Sequence, residues 1–327
     1  MILRTGAAAI GLGLTGCCTT KKPVALAKPK RVLFFSKSSG FEHDMIKRKH
    51  GERSKAENIL ADLGDKHGID FTFSKDGSLF TPHYLAQFDA YFFYTTGVLT
   101  EAGTDKQPPM TPEGKQAFLD AIKNGKGFIG THSATDTFHT GEGNGVGANE
   151  APTRYKNYGE DADSYVKMIG AEFIRHGSQQ KAHMRCVDRK FPGMSVVPED
   201  FRLLEEWYSL KDFAPNLHVL LVQETGDMKK DGIDHVYNRA PYPATWARMY
   251  GQGRVFYTSM GHRDDVWTNP VFQSVLMGGL GWAVRDVDAD VTPNIKQVAP
   301  NCWDLPPEPE KPAPKKPKEE AKPEEKK

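Results

Sequence analysis

Cysteine is scarce in this sequence, and its four copies are not spaced for metal binding or redox chemistry. They are Cys17, Cys18, Cys186 and Cys302. Because no C-x-x-C spacing occurs, a thiolate zinc site and a dithiol redox motif are excluded. Two interpretations of Cys186 stay open: a disulfide with Cys302 in an oxidising compartment, and a buried thiol in a strand, which is the more ordinary of the two.

An excess of charge of one sign is also missing. The 327 residues include 43 lysines and arginines against 42 aspartates and glutamates, which gives a formal net charge of +1. Proteins that bind duplex nucleic acid usually collect a basic excess into a patch, and no such run occurs in the part expected to fold. We therefore expect no nucleic-acid partner.

The apolar stretch near the N-terminus, residues 5–14, is too short to span a bilayer. It ends in Leu14-Thr15-Gly16-Cys17, which resembles the lipobox of bacterial lipoproteins. The resemblance implies a signal peptide over residues 1–16, acylation of Cys17 and a tether over residues 17–29. The membrane would then be a partner through this anchor, at the periplasmic or extracytoplasmic face of the cell envelope. An ordinary secretory signal or a wrongly assigned start codon is the alternative.

Aromatic and β-branched residues are absent from residue 304 onward, where Pro, Glu, Lys and Ala dominate. Such a segment cannot bury enough apolar surface to offset the entropy of ordering it. We predict a disordered tail over residues 304–327, which leaves residues 30–303 as the folded domain.

Strand and helix signals alternate within this domain. Short apolar runs predict buried parallel strands at residues 31–35, 69–73, 90–94 and 127–131. Helices are predicted after the N-cap Ser54 and at Thr111-Pro112-Glu113. The second half has more strands, at residues 181–187, 201–204, 218–222 and 254–259, and a last helix over residues 271–284. This order predicts an α/β fold with a mostly parallel sheet and helices on both faces.

Polar side chains follow several of these strands at the point where each strand ends. They are His43, Thr95-Thr96-Gly97, the run 130–136 (GTHSATD) and Gly261-His262, with His176 and Glu206 in or near loops of the second half. Ligands of open α/β sheets bind beyond the carboxyl ends of the strands. One such histidine would usually be structural, but several at strand ends predict a cleft.

Longer blocks of the domain carry a family resemblance. They are residues 130–138 (GTHSATDTF) and 253–262 (GRVFYTSMGH), with the shorter 39–43 (SGFEH), 169–173 (IGAEF) with His176, 205–208 (EEWY) and 245–248 (TWAR). In these blocks the sequence resembles the ThuA-like (trehalose-utilisation) family. That family shares the flavodoxin-like, class I glutamine-amidotransferase-like fold. The sequence departs from the family pattern at Gly177, where proline is common, and at Phe191, where histidine is usual.

The resemblance also bears on the reaction of the related amidotransferases, acyl transfer from glutamine. Class I amidotransferases carry a nucleophilic cysteine in the turn after the fourth strand, and His132 stands there in this sequence. Ser133 does not replace the thiol, because neighbours on a tight turn point apart and no G-x-S-x-G motif is present. We therefore do not expect acyl transfer from glutamine.

Two chemical roles stay open for the histidines. In the first, His132, His262 or His176 acts as acid and base, and Glu206 or Asp136 orients an imidazole. In the second, a divalent metal such as zinc is the cofactor, held by three imidazoles and a carboxylate, namely His132, His176, His262 and Glu206. These residues lack the short spacing of zinc motifs. Structural roles compete with both, as a surface carboxylate for Glu206 and a turn cap for Asp136.

Substrate-binding candidates are His43, Trp246, Arg248 and Tyr257. The aromatic side chains, Trp207 included, would stack on a sugar or belong to the core. The arginine would hold a carboxylate or form an ordinary ion pair.

The family resemblance implies a small-molecule sugar as substrate, a disaccharide or its keto derivative. A keto-sugar has an acidic proton beside its carbonyl group, and histidine pairs or a Lewis-acid metal suit its enolisation, elimination or isomerisation. A conventional glycosidase would need two carboxylates flanking the bond. A sugar-binding or scaffolding lipoprotein without catalysis is the alternative, since a fold alone does not fix a function.

Overall fold

The computed structural model describes residues 28–141 and 152–309. At the centre of the fold lies a nine-stranded sheet. The strands are β1 (Lys30–Phe35), β2 (Ile69–Ser74), β3 (Ala90–Phe93), β4 (Gly127–Thr131), β5 (Glu172–His176), β6 (Gln180–Cys186), β7 (Arg202–Glu205), β8 (Tyr208–Lys211), β9 (His218–Glu224), β10 (Tyr242–Tyr250) and β11 (Gly253–Thr258). The α-helices are α1 (Lys55–His67), α2 (Pro82–Leu85), α3 (Pro112–Lys123), α4 (Ser164–Ile169), α5 (Asp264–Trp267), α6 (Pro270–Ala283) and α7 (Ile295–Val298). Short 3-10 helices cover Gly77–Leu79, His132–Thr135, Pro152–Tyr155, Gly159–Asp161 and Gly232–Tyr237.

The sheet has a parallel half and an antiparallel half. Strands β2, β1, β3, β4 and β11 lie side by side in that order and are all parallel. Beyond β11 the sheet continues through β10, β9, β6 and β7 with antiparallel pairing. Strands β5 and β8 form a separate antiparallel pair. The order of the parallel half is that of flavodoxin-like folds, so the predicted α/β class is confirmed.

Both faces of the parallel half are covered, as the continuous apolar runs predict. Val32 and Phe34 of β1 point into a core shared with α1 and α6. Leu33 and Phe35 of the same strand point into a second core, shared with α3 and α4. A strand buried on both faces has no exposed position for a polar residue, which explains why the sequence of β1 is apolar rather than alternating.

The helices begin where the sequence predicts them. Ser54 and Glu57 form a capping box at the start of α1, and Thr111 caps α3. Helix α6 lies directly on the sheet, because a Cβ at Gly279 would stand 2.5 Å from the ring of Phe256 in β11. This helix is not the last one, since α7 follows it.

The two cysteines of the folded domain, Cys186 and Cys302, are both free, so the disulfide interpretation does not hold. Cys17, the signal peptide and the tether as far as residue 27 lie outside the described residues, as does the tail from residue 310, so these domain boundaries stay predictions. Within residues 28–141 and 152–309, no helix has the length and hydrophobicity needed to cross a membrane.

Candidate functional site

Four strand ends bring polar side chains to one place. His132 follows β4 directly, His262 follows β11, His43 lies in the loop after β1, and Glu206 follows β7. One ring nitrogen or carboxylate oxygen from each of these residues lies within 4.8 Å of those of the other three. We call these four residues the histidine cluster. Its position beyond the carboxyl ends of the strands is where ligands bind in open α/β sheets.

His132 has a strained backbone. Its φ of 44° lies in the left-handed region, which costs a residue with a Cβ on the order of 1–3 kcal/mol. The surroundings hold it there: the Tyr257 hydroxyl donates to the His132 carbonyl oxygen at 2.7 Å, and the preceding Thr131 hydroxyl donates to Met260 at 2.7 Å. Strain of this kind is retained mostly at functional sites, so it supports a functional role for this turn.

The hydrogen bond of the His132 ring fixes its tautomer. Nδ1 lies 3.1 Å from the carbonyl oxygen of Ser259, and a carbonyl can only accept, so Nδ1 carries the proton. In the neutral ring, Nε2 therefore presents a lone pair. It points toward Glu206 Oε2 at 3.4 Å and His262 Nδ1 at 3.2 Å.

Glu206 links the imidazoles. Its Oε2 lies 3.1 Å from His262 Nδ1, and its Oε1 lies 3.5 Å from Nδ1 of His176. His176 also donates Nδ1–H to the carbonyl oxygen of Gly177 at 2.9 Å. The carboxylate thus contacts three of the predicted residues, His132, His176 and His262.

His262 is positioned by its backbone. Gly261, with φ of 123°, turns the chain at a point where a Cβ would stand 2.7 Å from the Thr131 hydroxyl oxygen. The His262 backbone N–H then donates to Glu205 Oε1 at 3.1 Å. Burial raises the pKa of the Glu205 carboxyl to about 7, against the backbone hydrogen bonds that it accepts. Glu205 was not among the predicted site residues, although the Glu205-Glu206 pair at a strand end was a signal for it.

The members of the histidine cluster differ in the direction of their pKa shifts. Burial lowers the pKa of His132, and burial together with the two neighbouring imidazoles lowers that of His43 further. Burial opposes ionisation of Glu206 as well, but the neighbouring imidazoles of His132, His262 and His176 hold its pKa well below the usual range. The pKa of His262 is raised, because the Glu206 carboxylate outweighs the effect of burial. We infer an ionised Glu206 that accepts a hydrogen bond from His262 Nδ1–H and faces the lone pair of His132 Nε2.

A cavity of about 310 Å³ opens onto the histidine cluster. Its lining residues are Phe41, His43, Asp136, Phe173, His176, Glu206, Tyr208 and His262. The predicted residues His176 and Asp136 therefore lie on its walls. Tyr208 packs its ring against that of His132, with centroids 4.2 Å apart. Phe41, 68% exposed, stands at the mouth and contacts the His43 ring edge to face.

Asp136 is held by a buried charge network behind the cavity wall. Its Oδ1 accepts from His139 Nε2 at 2.6 Å, and His139 Nδ1 lies 3.0 Å from Glu172 Oε1. Glu172 is fully buried and lies 3.5 Å from the buried ammonium of Lys211. We call His139, Glu172, Lys211 and Asp136 the support network. It fixes the direction of the one carboxylate that faces the cavity beside Glu206.

Three predicted substrate-binding residues do not line the cavity, so their role in substrate binding stays a prediction. Trp246 is fully buried, donates to the Ile169 carbonyl oxygen and packs on Tyr257. Tyr257 is buried beneath the turn of His132. Arg248 donates to the Lys167 carbonyl oxygen near the end of α4. All three belong to strands β10 and β11, whose inward side chains fill the core. Trp207 is buried too.

The comparisons with known proteins agree with this architecture. A model of the ThuA family, described as trehalose utilisation, matches residues 31–283. A structure described as a ThuA-like protein of Bacteroides uniformis is 18% identical, with a TM-score of 0.54 over 80% of this chain and 95% of the other. One from Parabacteroides merdae is 17% identical, with a TM-score of 0.50 over 80% and 92%. At these identities the two structures show a shared fold. A search of the curated proteins found no match.

Proposed function

We propose, since the chain belongs to the ThuA trehalose-utilisation family, that it is an enzyme acting on a disaccharide or a keto-glycoside in the cavity above the histidine cluster. The observation that carries this proposal is the convergence of three imidazoles and an ionised carboxylate, of which His43, His262 and Glu206 line one cavity. Such a concentration of titratable groups with shifted pKa values is typical of catalytic sites.

The shape of the site supports a substrate with two sugar units. A second cavity of about 380 Å³ adjoins the first and shares Phe41 and His262 with it. Both volumes fall within the range of about 300–1,000 Å³ that is usual for small-molecule sites. The other lining residues of the second cavity are polar and suit sugar hydroxyl groups: Asp44, Gln179, Arg263, Asp264 and Asp265. A disaccharide lying across His262 would place one unit in each cavity.

We assign stabilisation of the developing charge and proton transfer to different residues of the site. Removal of the proton beside a keto group places negative charge on the carbonyl oxygen, and His262, whose pKa the Glu206 carboxylate raises, would stabilise that charge as a hydrogen-bond donor. His176 donates Nδ1–H to Gly177, so its neutral ring keeps a lone pair on Nε2 for a proton. Asp136 supplies a second proton acceptor on the same cavity lining. We assign proton transfer to His176 and Asp136.

Phe41 is the candidate for stacking on a sugar ring, in place of the buried tryptophans. We expect Phe41→Ala to raise KM by about three- to tenfold, since an aromatic contact contributes about 0.5–1.5 kcal/mol. The melting temperature should stay unchanged, because the side chain is 68% exposed. Steady-state kinetics and thermal denaturation of the same preparation measure both.

Trp246→Leu is the matched control for Phe41. It should lower the free energy of unfolding by about 3 kcal/mol through the cavity it leaves, and KM should remain that of the wild type. An unchanged KM in Phe41→Ala would exclude stacking at the mouth. A raised KM in Trp246→Leu at a temperature where it is folded would support the original prediction for Trp246.

A sugar-binding protein without catalysis would use the same cavity, and Phe41 would then affect Kd alone. The concentration of carboxyl and imidazole groups with shifted pKa values favours the enzyme, because such groups cluster at catalytic sites. Product formation by the wild type separates the two.

A further inference from the structure

We propose that the histidine cluster is a divalent metal site of the zinc type. Its ligands are His132 Nε2, His262 Nδ1 and Glu206 Oε2, with His43 as the fourth. The proposal deepens the proposed function at the same site. It rests on that function for the role of the ion and not for its binding.

Three of the ligand atoms form a triangle. Its sides are 3.1 Å from Glu206 Oε2 to His262 Nδ1, 3.2 Å from there to His132 Nε2, and 3.4 Å back to the carboxylate. Tetrahedral zinc has bonds of about 2.0–2.1 Å, so its ligand atoms lie about 3.3–3.4 Å apart. The triangle therefore has nearly the size of one face of a zinc coordination tetrahedron.

The centroids of the three imidazole rings form a second triangle with longer sides. They are 4.9 Å apart for His43 and His132, 5.1 Å for His132 and His262, and 5.3 Å for His43 and His262. All three pairs meet nearly edge to face. Rings that bind one tetrahedral ion through a nitrogen have centroids about 5 Å apart, which follows from the same bond lengths. The three imidazoles thus surround a common point.

The histidine cluster also has fewer N–H donors than acceptors. Ser259 fixes the His132 proton on Nδ1, so the lone pair of Nε2 faces the carboxylate oxygen of Glu206 at 3.4 Å. The His262 Nδ1–H is shared between these two acceptors. The buried Nδ1 of His43 has no hydrogen-bond partner among the described residues. Buried acceptors that face one another without enough donors are costly, and a cation at their centre removes that cost.

The surroundings match those of a metal centre. The Ser259 carbonyl orients one ligand imidazole, and His176 contacts the second oxygen of the ligand carboxylate at 3.5 Å. Imidazoles with one carboxylate and no thiolate suit zinc and related divalent ions. Because His43, Glu206 and His262 also line the cavity, a sugar oxygen can reach the ion. When bound, the ion would polarise the carbonyl group of a keto-sugar as a Lewis acid.

The test is a calorimetric titration of Zn²⁺ into the chelator-treated full chain. The wild type should bind one ion, and His43→Gln, His132→Gln and His262→Gln should each weaken binding about a hundredfold or more. His183→Gln, in β6 and outside the histidine cluster, serves as the matched control. It should bind zinc within a few-fold of the wild type.

Near-ultraviolet circular dichroism of each variant reports whether it folds. If a buried histidine variant fails to fold, Glu206→Gln, whose residue is 9% exposed, takes its place with the same expected loss. No binding by the wild type would overturn the proposal, as would equal affinities in the wild type and the folded ligand variants. Since the titration contains no sugar, zinc binding without sugar turnover would reject the proposed function and keep the metal site. Full sugar turnover by a chain that binds no zinc would reject the metal site and keep the proposed function.

Discussion

His132→Ala and His262→Ala should each lower the turnover of a keto-glycoside by about two to four powers of ten. His262 lines the cavity, His132 is buried behind it, and both contact Glu206 Oε2. Whether they stabilise the developing charge directly or hold an ion, neither role survives removal of the imidazole. A structural histidine would behave differently, because its loss would cost about 1–3 kcal/mol of stability and leave activity nearly normal. Turnover and melting temperature of each variant are the two measurements.

Because the backbone of His132 is strained, a second variant at this position is needed as a control. Alanine at φ of 44° keeps the strain and loses the ring, whereas asparagine tolerates the left-handed region. His132→Asn should therefore be the more stable variant and just as inactive. Near-normal activity in either variant would remove His132 from the reaction.

Glu172→Gln should lower the free energy of unfolding by about 3 kcal/mol at neutral pH. Glu172 is fully buried between His139 and Lys211, at 3.0 and 3.5 Å from their nitrogens. The substitution keeps the shape of the side chain and removes its charge. Among the described residues, the buried ammonium of Lys211 then keeps one carboxylate, Asp212 at 3.5 Å, and the carbonyl oxygens of Thr153 and Lys156. Breaking a buried pair is costly because the remaining charge stays out of water. Denaturant unfolding of both proteins measures the difference.

The pH dependence of this difference has a defined sign. Burial alone would raise the pKa of Glu172, but the His139 hydrogen bond and the charges of His139 and Lys211 lower it below 4.5. A lowered carboxyl pKa stabilises the fold above the unfolded value, and that contribution is lost as pH falls through the folded value. The wild type should therefore lose its advantage over Glu172→Gln between about pH 5 and pH 3. A gap that stays constant over this interval would contradict the ionised pair.

The parallel half of the fold was predictable because its signals are local. Each of its strands is a short apolar run, and α1 and α3 begin at caps that the sequence displays. The positions of His132 and His262 just after these strands predicted both as site residues. Strands β5, β8 and β10 were missed, since their residues alternate with polar ones or are broken by irregular pairing.

The composition of the site was less predictable, because it depends on contacts between distant segments. The metal interpretation named His176 as the third imidazole, whereas the structure places His43 among the four converging residues and His176 on the far oxygen of Glu206. The sequence could not show that Trp246 points into the core, since a strand buried on both faces has no polar side by which to orient it. Lipidation of Cys17 lies outside the described residues and stays a prediction.

The central claim is that this cavity performs chemistry on a keto-sugar, and proton exchange tests it most directly. The wild type is incubated with a keto-disaccharide in deuterated water and followed by nuclear magnetic resonance. We predict deuterium at the carbon beside the carbonyl group, ahead of or together with product, and none above background with His132→Ala. A substrate that binds to the wild type but gains no deuterium and yields no product would contradict the account.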